Sequence, residues 1–130
     1  MDAVAPGCRF CLENRLLSDQ PLFGNDAFYF LASIDADVPH AGMIIPRRHS
    51  ETPFDLSADE WTAFAEMLQR ARAHFDHLKP DGFTLGWNVG AAAGQHVFHT
   101  HLHILARFKG DPAEGAGIRR ILRPQDWKTA

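Results

Sequence analysis

Apolar runs separated by turn residues divide the chain into short strands and one long helix. Residues 27–33 are almost wholly aromatic and aliphatic and read as a strand. Residues 42–45 form a second apolar run, stopped by Pro46, and residues 83–88 a third, entered through the turn Pro80-Asp81-Gly82. Residues 97–106 alternate apolar and polar positions and read as a fourth. Between the second and third strands, Ser57 and Glu60 stand in the S-x-x-E spacing of a capping box. Trp61, Phe64, Ala65, Leu68, Ala71, Phe75 and Leu78 then fall at helical spacing, which predicts a helix over residues 58–78 with one apolar stripe. His74 and His77 lie on that helix without an acidic or Cys companion at ligand spacing, and are expected in solvent. Hairpin-linked strands with one covering helix predict an α+β domain built on an antiparallel sheet. No repeat or linker interrupts the pattern, so residues 1–130 read as a single domain. From Gly110 onward, Gly115, Gly117 and Pro124 predict an extended C-terminal tail over 110–130, with Trp127 docking on the body or on a second subunit.

Composition narrows the class. A chain of 130 residues with 45% hydrophobic content and ten Phe has material for a real core. Thirteen Lys and Arg against sixteen Asp and Glu leave it mildly acidic, which argues against a nucleic-acid binder. The apolar runs fall well short of the ~20 residues needed to cross a bilayer, and the start lacks the basic and apolar regions of a signal peptide. The expectation is a soluble, cytoplasmic protein. Cys8 and Cys11, spaced C-x-x-C, then point to metal binding or redox chemistry rather than to a structural disulfide.

The unusual feature is histidine. Of eight in the chain, His96, His99, His101 and His103 fall within eight residues. On a strand, His99, His101 and His103 would line one face, with Phe98, Leu102 and Ile104 directed into the core. A solvent-facing stripe would more commonly use Thr, Lys or Glu. Two sharper readings follow: three neutral imidazoles binding a catalytic metal, or one imidazole acting as nucleophile or acid-base group oriented by the others. Alternate strand residues stand about 7 Å apart at Cα, too linear a row to wrap one ion easily. The geometry favours the nucleophile. The segment just before, residues 88–95, is rich in Gly and Ala and lets backbone N–H groups approach an anion. Asn88 and Gln95 add amide donors for phosphate oxygens.

Taken together, N-x-G-x-x-A-G-Q over 88–95 followed at once by x-V-x-H-x-H-x-H over 96–103 resembles the signature of the histidine-triad nucleotide hydrolases and transferases. Ile44-Ile45-Pro46-Arg47-Arg48-His49 resembles the family's I-I-P-K-R-H segment. Phe54-Asp55-Leu56-Ser57 and Arg107-Phe108-Lys109-Gly110-Asp111 are similar to bacterial members, so the likeness runs from Cys8 to about Ile121. The resemblance implies that His101 attacks the α-phosphorus of a nucleotide, giving a nucleotidyl-histidine that water or another acceptor resolves. His99 and His103 would support it, and Asn88, Gly94, Gln95 and His96 would surround the phosphate and leaving group. It further implies a homodimer and an adenine-containing phosphoramidate or dinucleoside polyphosphate as substrate, with magnesium entering only as part of a polyphosphate. In bacterial members with C-x-x-C near the start, zinc is held by four side chains. Carried over, these are Cys8, Cys11, His49 and His99, a complete set for a closed structural site.

Three positions depart from the pattern. The family's additional active-site histidine falls on Ala41, whereas this chain has His40. A one-residue slip reverses the facing of a strand residue, so His40 reaches the site only if the loop shifts. The acidic residue that binds ribose hydroxyls falls on Ser33, with Asp35 and Asp37 nearby. His96 stands where Ser or Thr is common, and reads equally as a general acid or as bulk in the loop. These departures keep a second reading open, a zinc-stabilised nucleotide-binding module with little turnover. A third, a hydrolase with the triad as metal ligands, requires activity to vanish with chelator.

Overall fold

Short strands and one amphipathic helix assemble a sheet with an apolar cluster on each face. The computed structural model describes residues 3–33, 35 and 37–122. Five antiparallel strands, β1 (Phe23–Gly24), β2 (Phe28–Ala32), β3 (Ala41–Pro46), β4 (Gly82–Gly86) and β5 (Leu102–Arg107), lie in the order β1-β2-β3-β5-β4. The helix α1 (Ala58–His74) covers one face. Phe28, Phe30, Ile44, Leu102 and Ile104 on that face pack against Phe64, Met67, Ala71 and Phe75. The aromatic bulk of Phe30 is admitted only because residue 42 is glycine, since a Cβ there would overlap the Phe30 ring. The expected α+β fold, an antiparallel sheet under one helix, is what forms.

The other face holds a smaller cluster of Phe10, Tyr29, Leu31 and Ile45. It is roofed by the N-terminal segment, whose Cys8, Leu12 and Leu17 pack onto it. The buried Tyr29 hydroxyl donates to the Phe10 carbonyl at 2.6 Å and pins this segment to β2.

The helix begins as its sequence predicts. Ser57 Oγ accepts from the Glu60 N–H, and the Glu60 carboxylate accepts from the Ser57 N–H. It ends sooner, at His74, and residues Asp76–Leu78 form a separate 3-10 turn that closes on Lys79 at φ 53°. The stripe is also displaced: Met67 is fully buried, while Trp61 is 41% exposed and Ala65 faces solvent. His74 is half-buried against Phe23 and Phe30 rather than solvated, and burial lowers its proton affinity. His77 is exposed as expected.

The largest difference lies in the histidine segment. The fourth strand starts only at Leu102, not at residue 97. Continuing the ladder past the Ile44–Leu102 pair would set Thr100 opposite Pro46, which has no N–H to donate. Residues 96–101 therefore leave the sheet, and the Thr100 N–H turns to the Ser50 carbonyl. Phe98 consequently stands 48% exposed instead of entering the core. After β5 the chain doubles back in tight turns to a 3-10 helix, Ile118–Leu122, rather than running extended. The Arg107 guanidinium holds it there through Asp111, Thr84 Oγ1 and the carbonyls of Ala113 and Ala116. Trp127 lies outside the described residues.

Candidate functional site

The N-terminal turn brings Cys8 and Cys11 against the base of the histidine segment. Gly7, at φ +76°, turns the chain into Cys8, and Asn14 Nδ2 donates to the carbonyls of Ala5 and Cys8, each at 2.8 Å. Cys8 Sγ lies 3.3 Å from His99 Nδ1, Cys11 Sγ 3.4 Å from His49 Nδ1 and 3.6 Å from His99 Nδ1. All four ligand atoms fall within 4.8 Å of one another. Zinc bonds of about 2.3 Å to sulfur and about 2.05 Å to nitrogen, at tetrahedral angles, separate S and N by about 3.5 Å. The three sulfur–nitrogen distances above have that edge length. His99 Nε2–H donates to the Pro46 carbonyl at 2.6 Å, which leaves Nδ1 as the ligating nitrogen and fixes the ring. Burial pushes the pKa of His99 down to about 4 and raises that of the Cys11 thiol. Neutral imidazole is the ligating form, and a divalent cation would offset the cost of a buried thiolate. The residues fit a zinc ion.

His101 is held differently. Its Nδ1–H donates to the His99 carbonyl at 2.7 Å, so Nε2 carries the free lone pair. Nε2 has no protein partner, and no partnerless side-chain nitrogen among the described residues is buried, so it is open to solvent. The ring packs edge-on against Phe10, with centroids 5.1 Å apart, and against His103 at 5.0 Å. Burial lowers its proton affinity, the His99 carbonyl partly restores it, and the charge of Arg9 lowers it again. His103 is likewise shifted down by burial and by His101. Two neutral imidazoles thus stand side by side, with His99 turned away to the cysteines. Among the described residues, the cluster with metal-ligand geometry includes only His99 of the triad.

Two cavities flank His103. One, of about 270 Å³, is lined by Arg9, Leu17, Leu31, Ser33, Asp35 and Ala41 among others. The second, of about 260 Å³, is lined by Thr84, Gly86, Asn88 and Ile118. The structure therefore brings Ser33 and Asn88 to opposite sides of His103. Gln95 is spent internally: its oxygen accepts from the Gly90 N–H, and its amide donates to the carbonyls of Glu51 and Val97. It braces the loop that presents Asn88 instead of offering free donors. Gly94, at φ +94°, closes that loop, and His96 is exposed beside it. His40 is not brought to the triad. At φ 60° its ring packs on Phe108, on the helix side of the sheet, while Ala41 faces the first cavity. The one-residue slip has reversed its facing.

Sequence reading missed a polar brace behind the triad. Arg48 pairs with Glu60 at 2.9 Å and with Asp55 at 3.2 Å. Asp55 accepts from the buried Ser50 hydroxyl, which in turn meets Thr100 Oγ1 at 2.8 Å, between His99 and His101. The signal was available: Thr100 is the one polar residue among the alternating Phe98, Leu102 and Ile104. Arg9 was also missed, because C-x-x-C draws attention to its ends.

Comparison with known proteins agrees with this geometry. An uncharacterized HIT-like protein of Borreliella burgdorferi is 27% identical over 117 residues, covering 87% of this chain and 82% of its own length. A bis(5'-adenosyl)-triphosphatase of Dictyostelium discoideum is 30% identical over 90 residues, 68% of this chain and 60% of its own. The crystal structure of a Zn-bound histidine triad family protein from Mycobacterium smegmatis superposes with a TM-score of 0.69 at 29% identity, covering 82% of this chain and 78% of that one. The HIT domain family matches residues 16–110, and the chain belongs to it.

Proposed function

We propose that the protein is a nucleotide hydrolase or transferase working through a nucleotidyl intermediate on His101. The observation that carries this reading is the His101 tautomer: Nδ1–H is committed to the His99 carbonyl, and a neutral Nε2 is left open. In the reaction, the Nε2 lone pair forms a bond to the α-phosphorus while the bond to the leaving group breaks, and the leaving group keeps that bond's electrons and takes a proton from solvent, which the water of the second step gives back. Water then attacks phosphorus on the face opposite nitrogen. The P–N bond breaks, its electrons return to Nε2, and a nucleoside monophosphate is released. His103 lies where it would bear on the bound phosphate, Asn88 would donate to its oxygens from the second cavity, and Ser33 with Asp35 would face the sugar from the first. The cysteine-free partners of the triad thus do the chemistry, while Cys8, Cys11, His49 and His99 would hold zinc. That ion would cross-link the N-terminal segment to the histidine segment, which is a structural role.

An adenine-containing phosphoramidate or dinucleoside polyphosphate is the substrate class, supported by the relative named for a bis-adenosyl triphosphate. Magnesium enters only as part of a polyphosphate. The acting form in this reading is a homodimer, checked by sedimentation of the purified chain. The test is turnover of adenosine phosphoramidate and of diadenosine polyphosphates, followed by chromatography, for wild type and His101→Ala. AMP released by wild type alone supports the reading. Binding of AMP without turnover by either protein would instead favour a regulatory nucleotide-binding module, which the outward placement of His40 keeps in view. Among the described residues no helix is long and apolar enough to cross a membrane.

A further inference from the structure

The triad side of the sheet carries a cation with nothing to do. Arg107, on β5, is saturated by Asp111, Thr84 and two carbonyls. Arg9 is the opposite case. Among the described residues the exposed Arg9 guanidinium makes no hydrogen bond or ion pair, and it stands 5.5 Å from the centroid of the Phe10 ring. Phe10 is itself packed edge-on to His101. Arg9 lines the first cavity together with His103. Its position is not left to a flexible tail. The flanking Cys8 and Cys11 are both members of the metal cluster, Asn14 holds the Cys8 carbonyl, and Tyr29 holds the Phe10 carbonyl. A guanidinium offers five N–H donors in a planar fork suited to phosphate oxygens.

We propose that Arg9 is an anion-binding residue of this site: the Cys8–Cys11 turn presents its guanidinium to the non-bridging oxygens of the phosphate held at His101. The proposal rests on the nucleotide reading above and adds to it a ligand that the histidine motif does not contain. It also gives the metal cluster a second consequence, since the turn that would hold the ion is the turn that aims the arginine. Arg9 opposes the charge of Asp19 and Asp35, which line the same cavity on the sugar side of His103 and would otherwise disfavour an anion there.

The test is calorimetric titration of the zinc-loaded full chain with AMP and, separately, with adenosine, for wild type, Arg9→Ala and Arg9→Lys. Arg9→Ala should weaken AMP binding about ten- to a hundredfold, the range of a charged hydrogen bond, and leave adenosine within about twofold. Arg9→Lys should recover part of the loss, and wild-type affinity for AMP should fall more steeply with salt than that of Arg9→Ala. Equal weakening of AMP and adenosine would overturn the proposal, because Arg9 would then only shape the cavity. Unchanged AMP binding in Arg9→Ala would overturn it while leaving the nucleotide reading intact. A wild-type protein that binds neither ligand would remove the nucleotide reading and this proposal with it.

Discussion

The two faces of the sheet are covered by different kinds of material. Under α1, Phe28, Phe30, Ile44, Leu102 and Ile104 meet Phe64 and Met67 in a continuous apolar layer. On the opposite face the apolar cluster is small, and the cover is a segment with almost no regular structure, tied by Tyr29, Asn14 and the cysteine-histidine cluster. The first face is held by many contacts, each replaceable. The second is held by a few directional bonds, each tied to one atom. His101 and His103 sit on the second, where a side chain can be aimed to within a hydrogen bond and still be reached from solvent.

The faces should therefore fail in different ways. Replacing His101 with Ala should lower turnover by about a thousandfold or more, the scale of losing a nucleophile, while the protein stays folded at the assay temperature despite the lost packing on Phe10. Steady-state kinetics beside calorimetry separate the two readouts. Cys11→Ser should empty the cluster, seen as zinc per chain by elemental analysis. With metal at about a thousandfold above its dissociation constant, the stability lost is about 4 kcal/mol, and turnover should fall as well. Met67→Ala, on the helix face, should cost about 2–5 kcal/mol in denaturant melts while zinc content and turnover below the transition stay as in wild type. If Met67→Ala lowers zinc content as Cys11→Ser does, the two faces are not independent. Thr100→Val removes one hydroxyl from the brace behind the triad and should cost about 1–3 kcal/mol, with a smaller drop in kcat than in His101→Ala.

The smallest effect concerns pH. Arg48 beside Glu60 holds that carboxyl below its usual 4.5, so the native state binds its proton less readily than the unfolded chain. The stabilisation is then present above pH 4.5 and is lost as pH falls through the lower native value. Glu60→Gln should flatten this part of the stability profile in urea melts at stepped pH, without altering turnover near neutrality.

How far the sequence could be read follows the same division. On the helix side, periodicity was enough: the capping box of Ser57 and Glu60, β2 and β3 all stand within a residue or two of where the pattern puts them. The end of α1 was overrun because Phe75 and Leu78 continue the apolar spacing through the separate 3-10 turn that follows the helix. On the other face, alternation at 97–101 imitated a strand, and only the missing N–H of Pro46 shows why the ladder stops at Leu102. Residue types identified the cysteine-histidine cluster through resemblance, and the fold brings those four side chains together. Gln95 looked like a phosphate donor because its chemistry allows it, but its partners, the Gly90 N–H and the Glu51 carbonyl, are set by how the loop closes. Two residues, Phe23 and Gly24, are too few to show any period, so β1 left no trace. His74 looked solvated because nothing local announces that Phe23 and Phe30 will cover it.

The central claim is that His101 Nε2 forms a covalent bond to phosphorus. Hydrolysis of an α-thiophosphoryl nucleotide of known configuration, carried out in oxygen-18 water, reports it directly. Two successive displacements, one by His101 and one by water, predict overall retention of configuration at phosphorus. Inversion would mean a single direct attack by water and would contradict the account.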